Sequence, residues 1–266
     1  MNVSDVRADL LAEQQALDDV VAGLDVDGWA TPTASPRWSV ADQIGHLTFF
    51  DGTAAMAISE PDAFADHLAE MLGTVAGTPE EMDAATLGEY RAMAPSELLA
   101  AWRSNRARLA EAAAGLADDA RIPWYGPSMG AKSFLTARLM ETWAHGQDVV
   151  DALGAERPAT DRLRHIAQLG FITRGWSYTN RGREAPSTAV TVELTSPSGD
   201  TWTFGPADAE ARIAGPAEDF CLVVTQRRHV DDTALEITGA TAREWMEIAQ
   251  AFAGGATDGP APRTDA

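Results

Sequence analysis

Cysteine is almost missing from this chain of 266 residues. Cys221 is the only one, so an intramolecular disulfide cannot form and a zinc site built from several cysteines is excluded. Any metal held by this chain must therefore use histidine and carboxylate ligands.

Basic residues are also scarce, and lysine is nearly absent. The chain has 20 lysines and arginines against 40 aspartates and glutamates, which gives a formal net charge of -20. No basic stripe is visible, so nucleic acid is a poor partner and a small-molecule partner is favoured. Lys132 is the single lysine and alanine is abundant. This bias is typical of a GC-rich genome and fits an actinobacterial source.

Long apolar runs are the third missing feature. Nowhere do about 18 uninterrupted apolar residues occur, as a membrane-spanning helix requires. The N-terminal segment MNVSDVRADL carries acids where a signal peptide carries bases. We therefore expect a cytoplasmic protein without a membrane partner.

The length favours one large domain or two modest ones, and the patterns predict two. Ser39, followed three residues later by Asp42, resembles a capping box that starts a helix. Gly154 is a typical residue after a helix end. Apolar spacing and proline positions predict helices over Val6–Leu24, Ser39–Ser59, Pro61–Leu72, Pro79–Met93, Pro95–Leu116 and Ala131–Leu153, with a loop over Ile122–Gly130. Four main helices would form an up-and-down bundle over residues 1–155.

The pattern changes after Gly154. A further helix is predicted over Thr160–Asn180, and the sequence then alternates as strands do. Strands are predicted at Thr188–Leu194, Thr201–Phe204, 212–213 and Ala234–Thr238, with helices at Pro216–Arg228 and Ala240–Ala253. Residues 156–253 would thus form a small α+β domain, and residues 254–266 a disordered tail. The fold class is mainly α, and α+β overall.

The helix from Phe134 to Leu153 is apolar nearly all round, which indicates burial. On a helical wheel, four ionisable side chains fall on one narrow ridge: Arg138, Glu141, His145 and Asp148. Burying unpaired ionisable groups costs several kcal/mol, so this ridge needs mutual pairing or a metal ion.

Glu141 and His145 are four residues apart, the spacing that places two ligands over each other on a helix. His46, on the second predicted helix, faces inward and can supply a third ligand. Two histidines and one carboxylate leave an open position, which is typical of catalytic zinc.

Simpler interpretations remain for each of these residues. A Glu/His pair at this spacing often arises by chance, and an inward histidine is commonly a core residue. Asp148 either pairs with Arg138 or supports His145. The Trp124-Tyr125 loop is either packing or a substrate wall. The three histidines without a partner at ligand spacing are interpreted as surface or core residues: His67, His165 and His229.

Several short segments resemble the DinB-like superfamily, and specifically the mycothiol-dependent maleylpyruvate isomerase family. They are Trp38-Ser39-Val40-Ala41-Asp42, Gly45-His46-Leu47, Arg138 to Glu141, and His145-Gly146-Gln147-Asp148. Asp219 to Arg228 and Leu235 to Gly239 resemble the family's small C-terminal domain, which is akin to sterol-carrier folds. The resemblance spans nearly the whole chain.

The resemblance implies a four-helix bundle that holds a divalent metal, most readily zinc, through His46, Glu141 and His145. It further implies mycothiol as a thiol cosubstrate whose sulfur attacks a small electrophile, in isomerisation or S-transfer. Arg227 resembles a family arginine that holds an anionic substrate group, but Gln226 stands where the family usually has glycine. The register between Arg227 and Arg228 is therefore open, and a structural salt bridge is an equal alternative.

The remaining assignments complete this hypothesis. Asp148, Arg227 and Arg228 are the predicted catalytic residues, and Arg138, Trp124 and Tyr125 the predicted cofactor-binding residues. The expected partners are the thiol and an electrophilic small molecule, in a monomer or homodimer. The alternative function is a non-catalytic DinB-like protein that binds metal or a ligand, and a weaker alternative is a hydrophobic ligand carried by the second domain.

Overall fold

The computed structural model describes residues 2–74 and 77–263. The chain divides into two compact units, residues 1–157 and 158–266, which are described separately below. The first unit is helical and the second is α+β, so the predicted fold class is confirmed. None of the helices in the described ranges is long and apolar enough to cross a membrane.

The first unit is built around four long helices. Its elements are α1 (Val3–Val21), α2 (Val26–Ala30), α3 (Val40–Ser59), α4 (Pro61–Thr74), α5 (Pro79–Arg91), α6 (Pro95–Ala112), β1 (Arg121–Ile122), β2 (Met129–Gly130) and α7 (Ala131–Leu153). Helix α3 packs on α6 and α7, and α1 packs on the same two helices. Leu17, Ile44, Leu47, Trp102 and Val149 are fully buried in the core that these helices share. This burial of apolar area holds the bundle together.

Local capping explains where these helices begin and end. The Ser39 side chain accepts from the Asp42 backbone N–H, and the Asp42 carboxylate accepts from the Ser39 N–H, so the predicted capping box is confirmed. Helix α7 ends at Gly154, whose φ of 59° is left-handed and costs glycine little. An unpredicted capping box between Asn2 and Asp5 starts α1 earlier than expected.

Two predictions for the first unit were wrong in detail. The short helix α2 was missed, although the Asp25 side chain caps it by accepting from the Gly28 N–H. The segment predicted to be a loop throughout has paired ends, because Arg121 pairs with Gly130 and Ile122 with Met129. Only the residues between these strands form the loop.

The second unit places helices around a four-stranded sheet. Its elements are α8 (Leu163–Ile172), α9 (Arg174–Thr179), β3 (Val190–Thr195), β4 (Thr201–Phe204), β5 (Ala211–Pro216), α10 (Ala217–Val224), β6 (Glu236–Thr238) and α11 (Ala240–Ile248). The strand order is β4-β3-β5-β6. Strand β3 pairs antiparallel with β4 in the predicted hairpin and parallel with β5, and β6 pairs antiparallel with β5.

Helices of the second unit are shorter than predicted. The helix expected over Thr160–Asn180 is two helices, α8 and α9, which are separated at Thr173. The Thr173 hydroxyl donates to the Leu169 carbonyl at this point. The helix expected to reach Arg228 ends at Val224, since Gln226 has a left-handed φ of 59°. The closing helix ends at Ile248 rather than at Ala253.

The segment after Phe252 has no helix or strand within the residues that the structure describes, 253–263. Its Thr257 carbonyl accepts a hydrogen bond of 2.9 Å from the Gln226 side chain. The disorder predicted from Gly254 onward stays a prediction, and residues 264–266 lie outside the described residues.

Candidate metal centre

The structure brings His46, Glu141 and His145 together inside the helical unit. The Glu141 Oε2 atom lies 3.1 Å from His145 Nε2 and 3.4 Å from His46 Nε2. The imidazole ring centroids are 4.2 Å apart. The side chains are 16%, 25% and 13% exposed for His46, Glu141 and His145, so the group is largely but not completely buried.

Burial and mutual contact set the charges of this group. Burial lowers the pKa of His46 to about 4, and the neighbouring His145 acts in the same direction. Burial opposes ionisation of Glu141, but its polar contacts with His145 and His46 outweigh this effect and hold the Glu141 pKa well below its usual range. At neutral pH the group therefore combines an uncharged His46 with a carboxylate.

This donor set fits a divalent cation. One ligand atom from each of the three side chains lies within 4.8 Å of the other two. Two atoms that bind one tetrahedral zinc ion at about 2.0–2.1 Å are roughly 3.3 Å apart. The distances from Glu141 Oε2 to the two histidine Nε2 atoms, 3.1 and 3.4 Å, are close to this value. Two imidazoles and one carboxylate are also a common catalytic zinc set, in which a fourth position is left for water or substrate.

Aromatic rings flank the two histidines. The Trp38 ring lies 5.2 Å from that of His46, and the Phe50 ring lies 4.6 Å from it on the same helix as His46. Trp124 and Tyr125, from the loop between β1 and β2, contact Phe50 at ring distances of 6.2 and 5.7 Å. Trp124 and Tyr125, which were predicted to bind the cofactor, thus contact Phe50, and Phe50 in turn contacts His46.

His67 belongs to the same aromatic group, which the sequence did not indicate. Its Nε2 lies 2.8 Å from the Tyr125 hydroxyl, and its ring lies 5.9 Å from that of Phe49. Burial raises the pKa of Tyr125, so this phenol keeps its proton across the neutral range.

Arg138 and Asp148 have different neighbours, although both lie on α7. Arg138 is 3% exposed and pairs with Asp51 of α3, with Nη2 at 3.0 Å from Oδ1. The Asp148 carboxylate lies 3.8 Å from His145 Nδ1. Of the two open interpretations of Asp148, this distance favours a place beside His145 over pairing with Arg138.

Two residues of this region were missed by the sequence analysis. Gln43 Oε1 lies 2.6 Å from His145 Nδ1, and Asp51 is the buried partner of Arg138. Gln43 precedes His46 by three residues and so shares its helix face, which was an available signal. Asp51 is not at helical spacing from any predicted ligand, and nothing in the sequence linked it to Arg138.

Arg227 and Arg228 lie in the second unit, just after α10. The chain turns there through the left-handed Gln226, and the Arg227 backbone N–H donates to the Leu222 carbonyl at 2.8 Å. The Arg227 side chain donates to the Thr225 carbonyl and that of Arg228 to the Arg227 carbonyl, both at 2.7 Å. Their catalytic role stays a prediction.

Known proteins similar to this chain agree with the fold and the family resemblance. Residues 10–150 match the family described as the mycothiol maleylpyruvate isomerase N-terminal domain, and residues 186–236 match one described as wyosine base formation. Uncharacterized proteins from two strains of Mycobacterium tuberculosis are each 48% identical over 247 residues, which covers 93% of this chain and 95% of the relative.

The mycothiol-dependent maleylpyruvate isomerase has a similar crystal structure, with a TM-score of 0.58, 18% identity, and coverage of 91% of this chain and 94% of that chain. A mutant of that isomerase gives the same TM-score and coverage at 17% identity. At such identities the structural likeness concerns the fold alone. The match over residues 10–150, more than half of the sequence, shows that this chain belongs to the mycothiol maleylpyruvate isomerase N-terminal domain family.

Proposed function

We propose that this chain is a metal-dependent enzyme that uses mycothiol, or a similar low-molecular-weight thiol, as the nucleophile toward a small electrophile. The observation that carries the proposal is the convergence of His46, Glu141 and His145 in a member of this family. Zinc is the metal that this donor set favours. His46, Glu141 and His145 would hold the cation, whose positive charge would favour the thiolate form of a thiol at this site near neutral pH.

The chain itself offers no competing sulfur nucleophile. Cys221 is fully buried in α10, and its thiol contacts the Leu163 carbonyl at 3.6 Å. Burial raises the pKa of Cys221 well above its ordinary value, so it stays a thiol at neutral pH. A reactive thiolate must therefore come from a small molecule.

The side chains around the candidate metal centre would position that thiol and its reaction partner. Trp38 and Phe50 pack against the His46 ring and reduce its contact with water. Trp124 and Tyr125 extend the apolar surface beyond Phe50 and would contact the thiol cofactor. The Arg138 guanidinium lies over the Phe50 ring at 5.8 Å and pairs with Asp51. These two contacts hold its positive charge beside the aromatic residues.

Two reactions suit a thiolate at this position. In isomerisation, the sulfur adds to one carbon of an activated alkene, the resulting single bond rotates, and the sulfur leaves to restore the alkene with the other geometry. In S-transfer, the sulfur forms a bond to carbon while a leaving group departs with the bonding electrons. Arg227 or Arg228 would hold an anionic group of the substrate, and Asp148 would support His145.

The proposal predicts that metal-loaded protein accelerates addition of mycothiol to an electrophile between about pH 6 and 8. At pH 7 a free thiol with a pKa near 8.5 is only about 3% thiolate, so full ionisation raises the thiolate concentration about 30-fold. Stopped-flow or absorbance kinetics with a chromogenic electrophile measures the effect, and an apparent thiol pKa follows from the pH profile.

Matched samples identify the source of any acceleration. Metal-free protein should lose the acceleration, and Cys221→Ser should keep it. Arg227→Ala or Arg228→Ala should slow the reaction of anionic electrophiles only, at unchanged metal content. If loaded protein binds metal but gives no acceleration with any electrophile tested, the enzyme proposal fails and the non-catalytic binding protein becomes the better account.

A further inference from the structure

Gln43 is a fully buried amide that joins the candidate metal centre to the segment before α3. Its Oε1 lies 2.6 Å from His145 Nδ1. Its Nε2 donates to the Thr33 hydroxyl at 2.9 Å and to the Ser35 hydroxyl at 3.1 Å. Three polar contacts thus hold this buried side chain in one orientation.

The Thr33 hydroxyl determines which end of the Gln43 amide faces the histidine. Thr33 Oγ1 lies 3.0 Å from the Trp38 carbonyl oxygen, and a carbonyl can only accept. The Thr33 hydroxyl therefore donates its hydrogen to the Trp38 carbonyl and accepts a hydrogen bond from Gln43 Nε2. The amide NH2 group must face Thr33, which leaves the amide oxygen facing His145.

An amide oxygen can only accept, so His145 must carry a hydrogen on Nδ1. The lone pair available for a metal is then on Nε2, the atom that lies 3.1 Å from Glu141 Oε2. The Asp148 carboxylate, 3.8 Å from Nδ1, favours the same hydrogen but lies beyond hydrogen-bond distance. Gln43 is therefore the residue that orients the ring through a direct bond.

We propose that Gln43 is a positioning residue that keeps Nδ1 of His145 protonated and directs the Nε2 lone pair to the cation. The inference deepens the proposed function and rests on it in one respect, namely that a cation binds at His46, Glu141 and His145. Partners of this kind typically change metal affinity about 10- to 100-fold.

The first test needs no bound metal. Nitrogen NMR of protein labelled with 15N-histidine, with the His145 signals assigned by their loss in His145→Ala, reports which ring nitrogen carries hydrogen. We expect a protonated Nδ1 in metal-free and in zinc-loaded protein. A wild-type His145 with hydrogen on Nε2 and a bare Nδ1 would overturn the assignment, whatever the metal result.

The second test measures zinc affinity by competition with a chromophoric chelator. Gln43→Met, which removes the acceptor at similar volume, should weaken binding about 10- to 100-fold. Gln43→Glu keeps an acceptor opposite Nδ1 and should recover most of that loss. Gln250→Met is the matched control. Gln250, like Gln43, is a buried amide, but its partners are backbone groups and it lies in the second unit.

The outcomes separate this inference from the proposed function. Wild-type affinity in Gln43→Met, or equal losses in Gln43→Met and Gln43→Glu, would contradict a positioning role. If Gln43→Met does not fold, the wild-type NMR measurement and Gln43→Glu still decide. If the wild type binds no divalent cation while Nδ1 is protonated, the metal proposal fails and the orientation of His145 by Gln43 stands.

Discussion

Alanine in place of His46, Glu141 or His145 is expected to lower the bound divalent metal from about one ion per chain to near zero. Each substitution removes one of only three protein ligands, and the remaining two would have to share the ion with water and buffer. Elemental analysis of protein purified without chelator measures the effect. The thiol acceleration should fall with metal content.

His229→Ala is the matched control for these variants. His229 lies in the second unit, where its ring contacts Asp231 at 3.5 Å, so its loss should leave the metal content unchanged. Circular dichroism establishes that each variant is folded. Full metal content in all three ligand variants would refute the assignment of the site.

The second large effect is expected at the buried ion pair between Arg138 and Asp51. The two side chains are 4% and 0% exposed, and Asp51 also accepts from Gln14 and Trp102. Arg138→Met would leave the Asp51 carboxylate buried without its cation, at a cost of about 3–5 kcal/mol of unfolding free energy. Chemical denaturation monitored for the helical unit measures the loss.

A double-mutant cycle isolates the pair itself. Asp51→Asn combined with Arg138→Met should destabilise by less than the sum of the single variants, since neither charge is then left buried alone. Glu193→Gln is the exposed comparison: Glu193 and its partner Arg212 are 41% and 48% exposed, and the change should cost at most about 1 kcal/mol. If Arg138→Met lowers the free energy of unfolding by less than Glu193→Gln does, the role assigned to Asp51 is contradicted.

Features determined by neighbouring residues were predictable from the sequence. The capping box of Ser39 and Asp42 and the one-turn spacing of Glu141 and His145 depend on helix geometry alone. His46 followed from its inward position on a second helix, and the structure does place it beside the other two.

Features that depend on packing between distant segments were not predictable. The sequence left open whether Arg138 pairs with Asp148, and it gave no sign that Asp51 of α3 is the partner of Arg138 across the bundle. The role of Gln43 depends on Thr33 and Ser35, whose position is set by the turn before α3. Periodicity likewise gave no sign of the break at Thr173, because the apolar pattern continues through it.

Absorption spectroscopy of cobalt-substituted protein, titrated with mycothiol, tests the central claim most directly, because one spectrum reports both the metal and its sulfur ligand. We predict that cobalt binds at about one ion per chain and that mycothiol adds a sulfur-to-cobalt charge-transfer band in the near ultraviolet. The band should be missing in His145→Ala. A cobalt spectrum that is unchanged at saturating mycothiol, or a wild-type protein that binds no cobalt, would contradict the account.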